Sequence, residues 1–184
     1  MKKIIILTLI MLLLRAAYAY ADRIDSRFFS VEYEPPLDIL SLYDALDGVS
    51  QSSVDTDYVS SGSVKDMFSG ALDNLYYAVC DIMDIHLSGI KVRLVLVAHK
   101  KMVINKSKSI IGRIVDSPSF YHRQNDVIYL SVPDFSAGIL GHELGHFIID
   151  HYFVVPPPEK MQEVLCGYVE YTLLKQTGKS IPGK

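Results

Sequence analysis

Residues 141–147 read GHELGHF, with two histidines four positions apart and a glutamate directly after the first. On a helix, positions four apart share a face, so His142 and His146 can direct their imidazoles at one point. This spacing suits a zinc ion bound by two histidine nitrogens at roughly 2.0–2.1 Å. Glu143 is rotated by about 100° from His142, so it can take a proton from metal-activated water without binding the metal. The motif therefore predicts zinc-dependent hydrolysis of a polarised carbonyl.

A catalytic zinc site needs a third protein ligand, and three residues downstream of the motif are candidates. His151 lies about 140° off the metal-facing side of the same helix, which makes it the weakest of the three. The stretch VVPPPEK breaks the chain, and a final helix predicted over about 158–177 then folds back antiparallel to the motif helix. Glu163 and Glu170 are two turns apart on that helix and share a face.

Glu163 is the favoured third ligand because it lies nearer to the proline turn. The small residues Cys166 and Gly167 follow it, and we expect them to let the two helices approach closely. Glu170 remains the alternative ligand, or a carboxylate that orients a ligand histidine.

GHELGH, followed by a glutamate on the next helix, resembles the gluzincin metallopeptidases, and the short chain is similar to their minimal members. The resemblance covers about residues 118–175. It implies that the cofactor is Zn²⁺, that Glu143 is the general base, and that a peptide or protein is the substrate. It also implies that the strand from Val127 to Val132 lines the cleft and pairs with an extended substrate. The zinc ligands that it implies are His142, His146 and Glu163.

The sequence departs from the gluzincin pattern at Gly167, where many members carry an aspartate that orients a ligand histidine. Asp150 or Glu170 could take that role in this chain. Gluzincins also often use a tyrosine or histidine to hold the oxyanion, and the sequence does not choose among its candidates. These are Tyr121, Tyr152, Tyr168 and Tyr171.

The N-terminal residues predict export. Lys2 and Lys3 precede the apolar run IIILTLIMLLL, and the small residues of AAYAYA follow it. This is the pattern of a secretory signal peptide over 1–21, cleaved after Ala19 or Ala21. The apolar run is too short to span a bilayer, which takes about 20 residues. We therefore expect a periplasmic or secreted protein with no stable membrane anchor after cleavage.

The net charge bears on binding partners, and the cysteine content bears on disulfide formation. Cleavage of the leader would remove three positive charges and no negative one, which changes the formal net charge from −3 to −6. An acidic protein without a basic stripe is not expected to bind nucleic acid. Cys80 and Cys166 could form a disulfide in an oxidising compartment, or could both be buried thiols.

The hydrophobic pattern predicts an α+β fold. We expect a small zincin-like domain with a short antiparallel sheet, an active-site helix and a C-terminal helix packed antiparallel to it. Residues 100–117 fit either a short helix or an extended loop. A strand is predicted over 90–98, and a hairpin with its turn near 123–126. The predicted helices span about 36–47, 64–86, 134–153 and 158–177.

This pattern divides the chain into a signal peptide, an N-terminal helical and loop segment over 22–62, and a metallopeptidase domain over 63–184. The N-terminal segment could cover the cleft as a pro-segment, since it ends in a loop rich in Ser, Asp and Gly. A different class of function also remains open. The same ligands could hold a shielded zinc in a binding or regulatory module without turnover.

Overall fold

The computed structural model of the chain describes residues 22–34, 36–49 and 62–178. The predicted signal peptide lies outside the described residues, as does most of the predicted loop over 48–63. Among the helices of the described ranges, none is both long and apolar enough to cross a membrane.

A five-stranded sheet forms the centre of the fold. Its strands are β1 (Asp22–Asp25), β2 (Phe29–Tyr33), β3 (Val92–Val97), β4 (Ser119–His122) and β5 (Val127–Ser131). Their order in space is β1-β2-β3-β5-β4. The β1–β2 and β4–β5 pairs are antiparallel, whereas β3 runs parallel to both β2 and β5.

The α+β class is thus confirmed, but the expectation of an antiparallel sheet was wrong, because the sheet is mixed. Helical crossovers join β2 to β3 and β3 to the β4–β5 hairpin, and such crossovers connect parallel strands. The helices are α1 (Ile39–Leu46), α2 (Val64–Met83), α3 (Lys100–Ile111), α4 (Ala137–Tyr152) and α5 (Glu159–Gln176).

The sheet is buried on both faces around β5. Ile128 and Leu130 point into the main core, which β3, α2 and α4 also line. Val127 and Tyr129 point to the other face and pack with Val103 of α3. This alternation follows from the two-residue period of a strand. It explains why β5 is apolar at every position except its last, Ser131.

Residues 22–34 form two strands that the sequence did not predict. β2 pairs with β3, and Phe29 and Val31 are fully buried in the main core. The described part of the predicted N-terminal segment, residues 22–34 and 36–49, therefore shares its sheet and core with the rest of the fold. β1 lies at the opposite edge of the sheet from β4, and none of these residues lines the cleft described below.

The predicted helices are present, with ends set by local capping. The Ser63 hydroxyl accepts from the backbone N–H of Asp66, whose carboxylate accepts from Ser63 in return, so the predicted capping box begins α2. Residues 132–134 form a short 3₁₀ turn, and α4 begins only after Ser136, whose side chain caps it. Residues 100–117, for which the sequence allowed either a helix or a loop, form α3 followed by a loop.

Three glycines of α4 let α5 pack closely against it. A β-carbon at Gly138 would lie 2.7 Å from Leu174, and one at Gly145 would lie 2.9 Å from Cys166. Cys166 therefore belongs to the close helix contact, as the sequence predicted. Gly167 does not, because a β-carbon there would meet nothing within 4 Å. Since the paired positions rise in one helix as they fall in the other, α4 and α5 are antiparallel, as expected.

We expect Gly141→Ala to lower the free energy of unfolding by about 1–3 kcal/mol, because the added methyl group would overlap the Leu173 side chain. Urea denaturation measures this change. Gly167→Ala is the matched control on the other helix, and it should be neutral or stabilising by about 0.5–1 kcal/mol. A Gly141→Ala protein that unfolds at the wild-type urea concentration would contradict the close contact.

Candidate metal centre

Helix α4 carries the motif and presents it to one side of the fold. Its buried face consists of apolar residues such as Leu140, Leu144 and Phe147, which are completely buried in the main core. The side chains of His142 and His146 lie on the opposite, partly exposed side of the same helix. Packing of the apolar face thus fixes the direction of both imidazoles.

Three donor atoms converge beside this face. His142 Nε2 and His146 Nε2 are 3.3 Å apart. The Glu163 carboxylate lies 3.5 Å from His142 Nε2 through Oε2, and 3.4 Å from His146 Nε2 through Oε1. Donors on a tetrahedral zinc ion with bonds of roughly 2.0–2.1 Å are separated by about 3.3–3.4 Å. The spacing of these residues therefore fits one zinc ion, and among the described residues they form a group able to hold a metal.

Glu170 contacts the other side of the His142 ring. Its Oε2 lies 3.1 Å from His142 Nδ1. A hydrogen bond from Nδ1–H to this carboxylate leaves the Nε2 lone pair free for a metal. Burial opposes protonation of His142, but the Glu170 hydrogen bond and the charges of Glu143 and Glu163 raise its pKa. The same negative field favours a divalent cation.

Glu143 lies behind the donor atoms in a buried position. Its side chain is only 6% exposed, and its Oε1 accepts a hydrogen bond of 2.7 Å from the Ser119 hydroxyl. Burial raises the pKa of Glu143, while Ser119, the two histidines and the Tyr121 backbone oppose the increase. The Ser119 hydroxyl of β4 thus holds carboxylate oxygen Oε1 and orients the Glu143 side chain.

A cleft of about 430 Å³ opens in front of these residues. One wall consists of β4 and the loop that precedes it, and the other consists of α4 and the first turns of α5. Two ion pairs line it, Arg123 to Asp150 at 2.6 Å and Arg113 to Glu159 at 3.8 Å. The lining residues include Ser119, Tyr121, His142, Glu143, His146 and Glu163.

The prediction of which strand lines the cleft was wrong. Val127 to Val132 does not form an edge, because β5 pairs with β3 on one side and with β4 on the other. β4 is the edge strand on this side of the sheet, and its residues Ser119, Phe120 and Tyr121 line the cleft. The Ser131 N–H donates to the Pro118 carbonyl, so the alternation of an antiparallel ladder directs the backbone groups of Ser119 and Tyr121 to the free side.

Of the four tyrosine candidates, all within the described chain, Tyr121 alone lines the cleft. Its hydroxyl donates to Asp126 Oδ1 at 2.8 Å and lies 3.3 Å from Asp150 Oδ2. Burial and these two carboxylates raise its pKa. Tyr152, Tyr168 and Tyr171 are more than half exposed and do not line the cleft.

Two further sequence candidates lie outside the donor group. Asp150 forms an ion pair with Arg123, so Glu170 rather than Asp150 is the carboxylate beside a motif histidine. His151 points away, with Nδ1 at 2.9 Å from the Phe147 carbonyl and Nε2 at 3.4 Å from Asp126. Cys80 and Cys166 are both buried free thiols, so no disulfide joins them.

Ser119 is the site residue that the sequence did not reveal. It lies 24 positions before Glu143, and no spacing rule connects a strand residue to the next helix across a turn and a second strand. A polar residue at the start of a short strand next to the motif was the available signal. Its hydroxyl is buried, and a buried hydroxyl needs a hydrogen-bond partner.

Comparison with known proteins returned no match: no family model, no curated protein and no solved structure matches the chain. Any functional conclusion therefore depends on the geometry of the site.

Proposed function

We propose that the protein is an exported zinc-dependent metallopeptidase of the gluzincin type. The observation that carries the proposal is the convergence of His142 Nε2, His146 Nε2 and the Glu163 carboxylate at separations of 3.3–3.5 Å. The signal-peptide pattern of the first residues supports export.

The number of donors favours a catalytic zinc over a structural one. Structural zinc sites are closed by four protein ligands, whereas catalytic sites use three and keep one position open. In the described chain the group has three members, and it borders a cleft large enough for a substrate side chain or backbone. This arrangement supports hydrolysis over the alternative of a zinc-stabilised module without turnover.

Each residue then has one task. A zinc ion held by His142, His146 and Glu163 would act as a Lewis acid, activating water and polarising a peptide carbonyl. Glu143 accepts the proton of the attacking water and delivers it to the departing amine. Ser119 holds Glu143 Oε1 in place, and Glu170 holds the His142 ring so that Nε2 faces the metal.

The free edge of β4 favours an extended peptide as the substrate. Backbone N–H and C=O groups at a sheet edge pair with an added strand, and this is a common way to bind peptides. The unpaired side of β4 begins at Ser119, which also contacts the proposed general base. A peptide bound along this edge would pass directly in front of Glu143 and the three donors.

Metal removal tests the proposal. The purified protein should cleave members of an unbiased peptide library, and 1,10-phenanthroline should lower the rate at least about 100-fold by removing zinc. After dialysis removes the chelator, one equivalent of zinc should restore the rate, while the non-chelating isomer 1,7-phenanthroline should have no effect. Mass spectrometry of the products measures cleavage. A zinc-loaded protein that cleaves no peptide would contradict turnover and support the binding module.

A further inference from the structure

The exposed apolar side chains concentrate at one end of the fold. Of the 12 large hydrophobic residues that are exposed in the described chain, eight lie between Tyr152 and Tyr171. Five of them are on α5: Met161, Val164, Leu165, Tyr168 and Tyr171. At 100° per residue these five span about 120° of the helix, opposite the residues that pack against α4. We call them the outer face of α5.

The loop before α5 extends this apolar surface. Val154 is 100% exposed and Val155 is 81% exposed, and we call this pair the loop tip. Pro156, Pro157 and Pro158 follow, and they have no backbone N–H to lose to an apolar medium. The Pro157 carbonyl accepts from the Gln162 side chain, and the Pro158 carbonyl accepts from the first turn of α5. The three prolines and these bonds reduce the number of unpaired backbone groups in the loop, which lowers the cost of removing it from water.

The charge around the outer face differs from that of the whole chain. The chain has 21 acidic and 18 basic residues, yet Lys160 and Lys175 flank the outer face at its two ends. The acidic residues of α5 lie away from the outer face: Glu159 and Glu163 line the cleft, and Glu170 contacts His142. After Glu170 the sequence contains three lysines and no acidic residue. Cations beside an apolar, tyrosine-rich face suit the surface of an anionic lipid bilayer.

A second copy of the chain fits this surface less well. In an antiparallel pairing of two outer faces, Lys160 of one copy would lie within about one turn of Lys175 of the other. In a parallel pairing each lysine would face its own equivalent. Both arrangements bring like charges together, and like charges destabilise an interface.

We propose that the outer face of α5 and the loop tip dock the protein on anionic lipid bilayers. The valines of the tip enter the interfacial region, the tyrosines lie at the level of the headgroups, and the lysines contact lipid phosphates. This is peripheral binding, not a membrane-spanning anchor. It stands independently of zinc binding and of peptide cleavage.

Co-sedimentation of the purified protein with unilamellar vesicles tests the proposal. The wild-type protein should bind vesicles of mixed phosphatidylglycerol and phosphatidylcholine, and should bind pure phosphatidylcholine vesicles at least about tenfold more weakly. Lys160→Glu with Lys175→Glu should reduce binding to the anionic vesicles by about tenfold or more. The matched control is Lys101→Glu with Lys108→Glu on α3, which should bind as the wild type does.

A second double variant tests the apolar contribution. Val154→Glu with Tyr168→Glu should reduce binding to anionic vesicles by at least about tenfold. Leu40→Glu, a change at an exposed leucine of α1, should not. Unchanged thermal unfolding of all variants confirms that they fold. Absence of wild-type binding to anionic vesicles would overturn the proposal. A vesicle-free dimer that Val154→Glu with Tyr168→Glu dissociates would also overturn it, since the occupant would then be a second copy.

Discussion

Glu143→Gln is expected to lower kcat for peptide hydrolysis by about 10³–10⁴-fold while the protein keeps its zinc. Glutamine has the same shape, and its Oε1 still accepts the hydrogen bond from Ser119. It cannot accept a proton from water, so only the general-base step is lost. The variant should be at least as stable as the wild type, because it removes a carboxylate that is 94% buried.

Kinetics on one library-derived peptide, with zinc content measured on the same samples, check this result. Ser119→Ala should have a smaller effect on kcat than Glu143→Gln. It should lower kcat by about tenfold with KM little changed, because Glu143 remains but loses the group that holds it. Ser119→Thr keeps the hydroxyl and should recover most of the rate. Wild-type activity in Glu143→Gln would exclude Glu143 as the general base, whatever the zinc content.

Glu163→Ala is expected to weaken zinc binding by more than about 100-fold, since it removes one of three donors. Glu170→Gln is the matched change at a carboxylate that contacts a ligand histidine and not the metal itself. It keeps a hydrogen-bond acceptor beside His142 Nδ1 but removes the charge, so the loss should be about 10- to 100-fold. Competition with a chromophoric zinc chelator measures both affinities at constant pH.

The comparison of these two glutamates also tests the assignment of the third ligand. A greater loss of zinc affinity in Glu170→Gln than in Glu163→Ala would reverse their roles. Equal and small losses would mean that neither carboxylate binds the metal, and the two histidines would then be an insufficient site.

The motif histidines could be predicted from sequence because their relation is local. Four residues of helix fix the relative direction of His142 and His146, whatever the rest of the fold does. The contact of Glu163 with both imidazoles could be anticipated too, since a proline-rich turn of a few residues makes adjacent helices antiparallel. Glu170 was named as an orienting carboxylate, but only the packing of α5 on α4 shows that it reaches His142 Nδ1.

The order of the strands in the sheet could not be predicted from the sequence, because it depends on pairing between distant segments. β4 and β5 form the predicted hairpin, yet the hairpin alone does not say which of its strands pairs with β3. The parallel pairing of β3 with β5 leaves β4 as the edge, so the strand that lines the cleft is β4 and not residues 127–132. β2 was missed for a similar reason, since its partner Val92 lies more than 50 residues away from Phe29.

X-ray absorption spectroscopy at the zinc edge tests the central claim most directly, on protein purified without added chelator. We expect about one zinc per chain, bound by two imidazole nitrogens and by oxygen at roughly 2.0–2.1 Å. Glu163→Ala prepared in the same way should contain little zinc. Absence of zinc from the wild-type protein, or a sulfur ligand at roughly 2.3 Å, would contradict the site formed by His142, His146 and Glu163.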